Sequence, residues 1–181
     1  MKSTVNRYWN AHELVVIGVF SAAAKISTLL VALAGGGMNP VSLLLKNLVF
    51  TTLLIVMLYK VRKPGTLLLF VLINMLVSAL LLGASLTLLP AMLLAALIAE
   101  TAAALTGGLS RPWGPLVAVA VFDLLFRICS LGVSWLVMRE NPAMLVAAVP
   151  IVGLGYVGAL IGLFTGVKAV RELRHAGIVR Q

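Results

Sequence analysis

The sequence predicts an all-α, polytopic integral membrane protein with six transmembrane helices and both termini in the cytoplasm. Three observations carry that prediction. Of 181 residues, 62% are hydrophobic and only 10% are charged, with a mean hydropathy of +1.14. That is more apolar surface than a soluble domain of this size can hide. The apolar residues also come in long runs, each approaching the ~20 residues that cross a bilayer. Finally, the Lys and Arg residues outside those runs fall almost entirely on one side of the membrane.

The expected spans, in order, are 12–34, 42–59, 66–85, 88–105, 116–138 and 143–167, followed by a basic cytoplasmic tail over 168–181. The whole chain is read as a single transmembrane domain. The first span ends at the triple glycine of "GGGMNP" and the second at the basic turn "KVRKPG". Almost nothing separates the third from the fourth. "GGLSRPWGP" forms the next loop, and "RENP" turns the chain between the fifth and sixth. Pro90 and Pro150 are placed near span starts, where proline is tolerated. The first run is too long for an ordinary signal peptide, lacks a small-residue cleavage site and is followed by further spans. The one cysteine, Cys129, lies inside a span and excludes an intrachain disulfide.

Orientation follows from the charges. Lys2, Arg7, Lys60, Arg62, Lys63, Arg111, Lys168, Arg171, Arg174 and Arg180 fall on one side, and only Arg139 on the other. The positive-inside rule puts the first side in the cytoplasm, and the basic tail then lies beside anionic lipid headgroups. The net charge of +9 is explained by membrane orientation, so no nucleic-acid partner is expected.

Five ionisable residues remain inside the expected spans: Lys25, Lys46, Glu100, Asp123 and Arg127. A charge in hydrocarbon costs at least a few kcal/mol, so each should face a partner, a cavity or an interface. Asp123 and Arg127 are four residues apart, the spacing for a direct ion pair on one helix face. That pair either neutralises itself structurally or lines a binding cavity. Lys46 either snorkels to the outer interface or faces inward. Lys25 is too deep to snorkel easily, and Glu100 is its natural acidic candidate if the helices are adjacent. Glu100 could equally face a partner or the cytoplasmic interface. Three positive against two negative charges weakly favours an anionic ligand. Asn39, Asn47 and Asn74 are further polar candidates, while Trp113 and Trp135 suit opposite membrane interfaces.

Small residues mark two spans. In "GVFSAAAKIS", Gly18 and Ala22 are four apart, as are Ala23 and Ser27. Span six repeats the theme with Gly155, Gly158, Ala159, Gly162 and Gly166. Either face suits packing inside the bundle or docking against another membrane protein. Catalysis has no visible apparatus. The chain shows no phosphate-binding glycine loop with a following lysine, and its two histidines, His12 and His175, lie near the inner membrane edge. The chain is therefore not expected to be an enzyme, to carry a metal or to need a cofactor.

Several stretches together resemble one family: "HELVVIGVFSAAAKIS", "YKVRKPG", "LIAETAAALTGG" and the ending "GALIGLFTGVKAVRELRHAGIV". Their order and spacing are similar to those of substrate-binding S components of energy-coupling factor transporters, of the MptD or Trep-Strep type. The resemblance covers nearly the whole chain. "RELRHAG" stands where such proteins are often richer in lysine and phenylalanine. The resemblance implies a small protein of the bacterial plasma membrane that captures a vitamin or related micronutrient from outside. It also implies a transmembrane coupling subunit and two cytoplasmic ATPases as partners. The small face of span one, with Gly18, Ala22, Ala23 and Ser27, would contact the coupling subunit. Asn39, Lys46, Arg127 and Trp135 would line the pocket toward the outer side, with Lys25 and Asp123 beneath it. Two other classes compete: a self-sufficient transporter or channel, and a membrane scaffold that binds no small ligand. Internal repeats, which would favour the transporter, are not evident.

Overall fold

The computed structural model describes residues 8–35, 39–82, 89–137 and 142–177. They form six α-helices: α1 (Ala11–Ala34), α2 (Pro40–Lys60), α3 (Thr66–Leu82), α4 (Leu89–Leu105), α5 (Gly114–Val137) and α6 (Pro142–His175). The expectation of six transmembrane helices is not met. Among the described residues, four helices are long and apolar enough to cross a membrane: Ala11–Ala34, Pro40–Lys60, Gly114–Leu136 and Val149–His175. Thr66–Leu80 and Pro90–Leu105 are shorter apolar helices. Length decides the difference. A 17-residue helix such as α3 or α4 rises about 25 Å, short of the ~30 Å hydrocarbon core. The chain is a multi-pass integral membrane protein in which a short apolar helix pair joins spanning helices α2 and α5. Positions 83–85, 88 and 138, counted into the expected spans, lie outside the described residues. So do Lys2, Arg7, Arg139 and Arg180.

Local signals account for several helix ends. Asn39 accepts a hydrogen bond from the Val41 amide at 3.0 Å, and Pro40 occupies the first helical position, so α2 starts on an N-cap followed by proline. Glu13 accepts from the Asn10 amide at 2.9 Å and steadies the first turn of α1. α6 continues unbroken through Lys168 to His175, so the basic residues Lys168, Arg171 and Arg174 lie on the same helix as the last span. Pro150 lies inside α6, near the start of its spanning stretch Val149–His175.

α2 is the central helix. It packs against α1, α5 and α6, while α4 lies along α5 and α3 along α1 and α4. Glycine on α6 is what lets α2 and α6 touch. A β-carbon at Gly158 would lie 2.5 Å from the Leu44 carbonyl oxygen, and one at Gly162 would lie 2.8 Å from that of Leu48. Only a residue without a side chain permits that approach. Across the contact, the hydroxyls of Thr52 and Thr165 are 2.8 Å apart.

Most of the fully buried apolar residues gather in one half of the bundle: Leu54, Ile55, Met57 and Leu58 on α2, Leu67, Phe70 and Val71 on α3, Ala95, Ala96 and Ala99 on α4, and Ala118, Val119 and Phe122 on α5. This is the half toward the basic turns. Leu33, Leu80, Leu105 and Phe164 are exposed, as residues facing lipid are.

Candidate functional site

A polar cluster interrupts the apolar interior where α2, α5 and α6 meet. Asp123 and Arg127 share one face of α5, as their spacing requires, yet they do not form the expected direct ion pair. Among the described residues the one ion pair within 4 Å is Lys63–Glu13. Each member of the α5 pair instead turns to a partner on α2. The Asp123 carboxylate, almost completely buried, accepts a hydrogen bond from the Thr51 hydroxyl at 2.9 Å. Arg127 Nη2 donates to Asn47 Oδ1 at 2.8 Å. Asn47 and Thr51 are themselves four residues apart on α2, so two helical pairs face each other across the interface.

α6 completes the cluster with backbone. The Gly155 carbonyl accepts from Arg127 Nη2 at 2.9 Å, and the Val152 carbonyl from Nη1 at 3.4 Å. Gly155 also makes the space: a β-carbon there would fall 2.6 Å from Arg127 Nη1. The guanidinium carbon lies 5.8 Å from the centroid of the Tyr156 ring, within range of a cation–π attraction. Arg127 Nε is buried and has no hydrogen-bond partner among the described residues. A half-buried guanidinium with a donor to spare, held on three helices, is a preorganised site for an anionic or hydrogen-bond-accepting group.

The remaining candidates are dispersed. Asn39 is exposed and its side-chain oxygen is committed to capping α2. Lys46 is half-buried, next to Asn47 in sequence, and Trp135 is exposed two helical turns beyond Arg127. Lys25 is half-buried on α1; its carbonyl accepts from the Thr28 hydroxyl at 2.9 Å, while its ammonium has no hydrogen-bonding or ionic partner among the described residues. Glu100 is not that partner. Its carboxylate accepts from the amides of Gly65 (3.0 Å), Leu67 (2.8 Å) and Leu68 (3.2 Å). It therefore satisfies the orphan amides at the start of α3, where the helix dipole favours a negative charge. On α1, a β-carbon at Gly18 would meet nothing within 4 Å, and Ala22, Ala23 and Ser27 are partly exposed. Asn74 is buried on α3 and reaches the Ser21 carbonyl at 3.5 Å.

Sequence reasoning did not single out Thr51, Tyr156 or the room at Gly155. A signal existed for Thr51: Asn47 and Thr51 in "KNLVFT" repeat the four-residue polar spacing of Asp123 and Arg127.

A family model described as a hypothetical bacterial integral membrane protein (Trep_Strep) matches residues 11–143, well over half of the chain. The chain belongs to that family. No curated protein and no solved structure matches it.

Proposed function

We propose that the chain is the substrate-capture subunit of an energy-coupling-factor-type importer, binding a vitamin or related micronutrient that carries an anionic group. The observation that supports this reading best is Arg127. Its charge is held between three helices by neutral acceptors, Asn47 and the carbonyls of Val152 and Gly155, while Asp123 is satisfied separately by Thr51. A self-neutralising structural pair would have no reason to be split this way. An arginine in a membrane interior is costly, and residues retained there at that cost mark ligand sites or pathways.

In this reading the basic end faces the cytoplasm by the positive-inside rule. The cluster lies toward the opposite side, since Asn47 precedes Lys60 by 13 residues, about 20 Å of helix. A coupling membrane subunit and two cytoplasmic ATPases supply the energy. The small-residue face of α1, open at Gly18, is the proposed contact with the coupling subunit. The chain itself binds and performs no reaction.

The test is native mass spectrometry of the detergent-purified chain, coupled to a binding screen of anionic micronutrients. A stoichiometric adduct of vitamin-like mass is expected, weakened at least about tenfold by Arg127→Ala, which removes a charge-assisted hydrogen-bonding group. Asn47→Leu provides a milder second variant that leaves the guanidinium in place. If the spectrum is apo and the screen silent while a membrane protein co-purifies, capture is abandoned for the scaffold reading.

A further inference from the structure

The end of the bundle opposite the polar cluster holds a second site. A groove of about 580 Å³ opens between the last turns of α6, the end of α2 and the loop before α5; its wall includes Tyr59, Trp113, Leu116, Arg171, Arg174 and His175. We propose that this groove binds the phosphate headgroup of an anionic phospholipid.

Charge is the first reason. Arg62 and Arg174 both stack on the Tyr59 ring, their guanidinium carbons 5.3 and 5.7 Å from its centroid. Two like charges on one ring repel each other. The attraction of the ring face for each cation offsets part of this. Burial, and after it the charge of Arg174, pushes the Arg62 guanidinium below its ordinary value. Arg62 is not itself part of the groove's lining; its Nε and Nη2 are shielded and lack a hydrogen-bond acceptor among the described residues, so its charge acts on the groove through Tyr59 and Arg174. Arg171 and His175 add donors along the rim. Glu172, exposed on the same stretch of α6, forms no ion pair with any of them, since the one ion pair among the described residues is Lys63–Glu13. Among the described residues the groove thus concentrates positive charge without a paired carboxylate, and a phosphate would supply the balance.

Position is the second reason. Spanning helix α2 ends at Lys60 and spanning helix α5 starts at Gly114, so the groove between them opens at headgroup depth. Its inner wall is apolar, with Leu116, Val167 and Val170, and its rim cationic. Trp113, 72% exposed, stands at the mouth, where an indole is accommodated between hydrocarbon and water. The Tyr59 hydroxyl is already committed to the Pro112 carbonyl, which fixes the ring as a platform and ties the loop to α2. An apolar wall under a cationic rim at this depth matches a phospholipid, whose phosphate stays at the interface while its glycerol and first methylenes go inward.

The test uses the full chain in neutral detergent, titrated with phosphatidylglycerol and phosphatidylcholine of identical acyl chains and read by native mass spectrometry. Phosphatidylglycerol is expected to bind at least about fivefold more tightly, with Arg174→Gln and Arg171→Gln each removing about fivefold, the effect of one basic residue near an anionic surface. Lys168→Gln, an exposed charge on α6 outside the groove, is expected to leave the preference unchanged. Equal binding of the two lipids overturns the proposal, and so does an equal loss in the Lys168 variant, which would indicate diffuse attraction. Displacement of phosphatidylglycerol by millimolar inorganic phosphate would assign the groove to a free anion instead. Arg171→Gln reads the same groove if Arg174→Gln does not fold.

Discussion

α1 and α6 carry the same sequence signal with opposite outcomes. Both have small residues at four-residue spacing. On α6 the carbonyls of α2 fill the space, with Leu44 and Leu48 lying where β-carbons at Gly158 and Gly162 would be. On α1, Gly18 faces open space, flanked by exposed Val15, Val19 and Ile26. A stripe of small residues therefore specifies a smooth surface, while its occupant depends on which helix the fold brings there.

The largest expected break of this contrast is Gly158→Leu. Its side chain must displace the backbone of α2, so the purified chain should lose about 3 kcal/mol or more of stability, or fail to fold. Thermal unfolding in detergent reads this directly, and an unchanged midpoint would mean that the α2–α6 contact is looser than described. An intermediate effect is expected for Glu100→Gln. The neutral amide keeps one acceptor oxygen, enough for Leu67 and Leu68 or for Gly65 but not for both, and gives up the charge facing the helix dipole, about 1–2 kcal/mol in all. Hydrogen exchange at the Gly65, Leu67 and Leu68 amides should rise, and no change there would remove the capping role. The smallest effect is expected for Gly18→Leu, within about 0.5 kcal/mol of the parent in the same unfolding assay. Loss of ATPase-dependent uptake in that variant, with ligand binding intact, would place a coupling partner on α1. Unchanged uptake would remove α1 at Gly18 from the interface.

The interior charges show a similar division between what was legible and what was not. That Asp123 and Arg127 share a helix face follows from their spacing alone. Their separation does not: it requires Asn47 and Thr51 to arrive from a helix more than 70 residues away in sequence. The pairing imagined between Lys25 and Glu100 failed for the same reason, because the nearest amides to Glu100 belong to the start of α3. Span counting failed differently. Hydropathy registers how apolar a run is, but a 17-residue helix and a 21-residue helix of similar composition look alike until their ends are fixed.

The sequence by itself determined that this is an all-α membrane protein, where its helices begin to within about two residues, and that its basic segments belong at one end. These are properties of composition and local periodicity, readable along the chain. The tertiary structure alone decided that four helices have spanning length, that glycines on α6 rather than α1 are filled from within, and that Arg127 is held by neutral groups. It also decided that Arg62 and Arg174 meet over one tyrosine. Apart from the helix lengths, each of these depends on contacts between residues far apart in sequence, and long-range register is what local propensity does not encode.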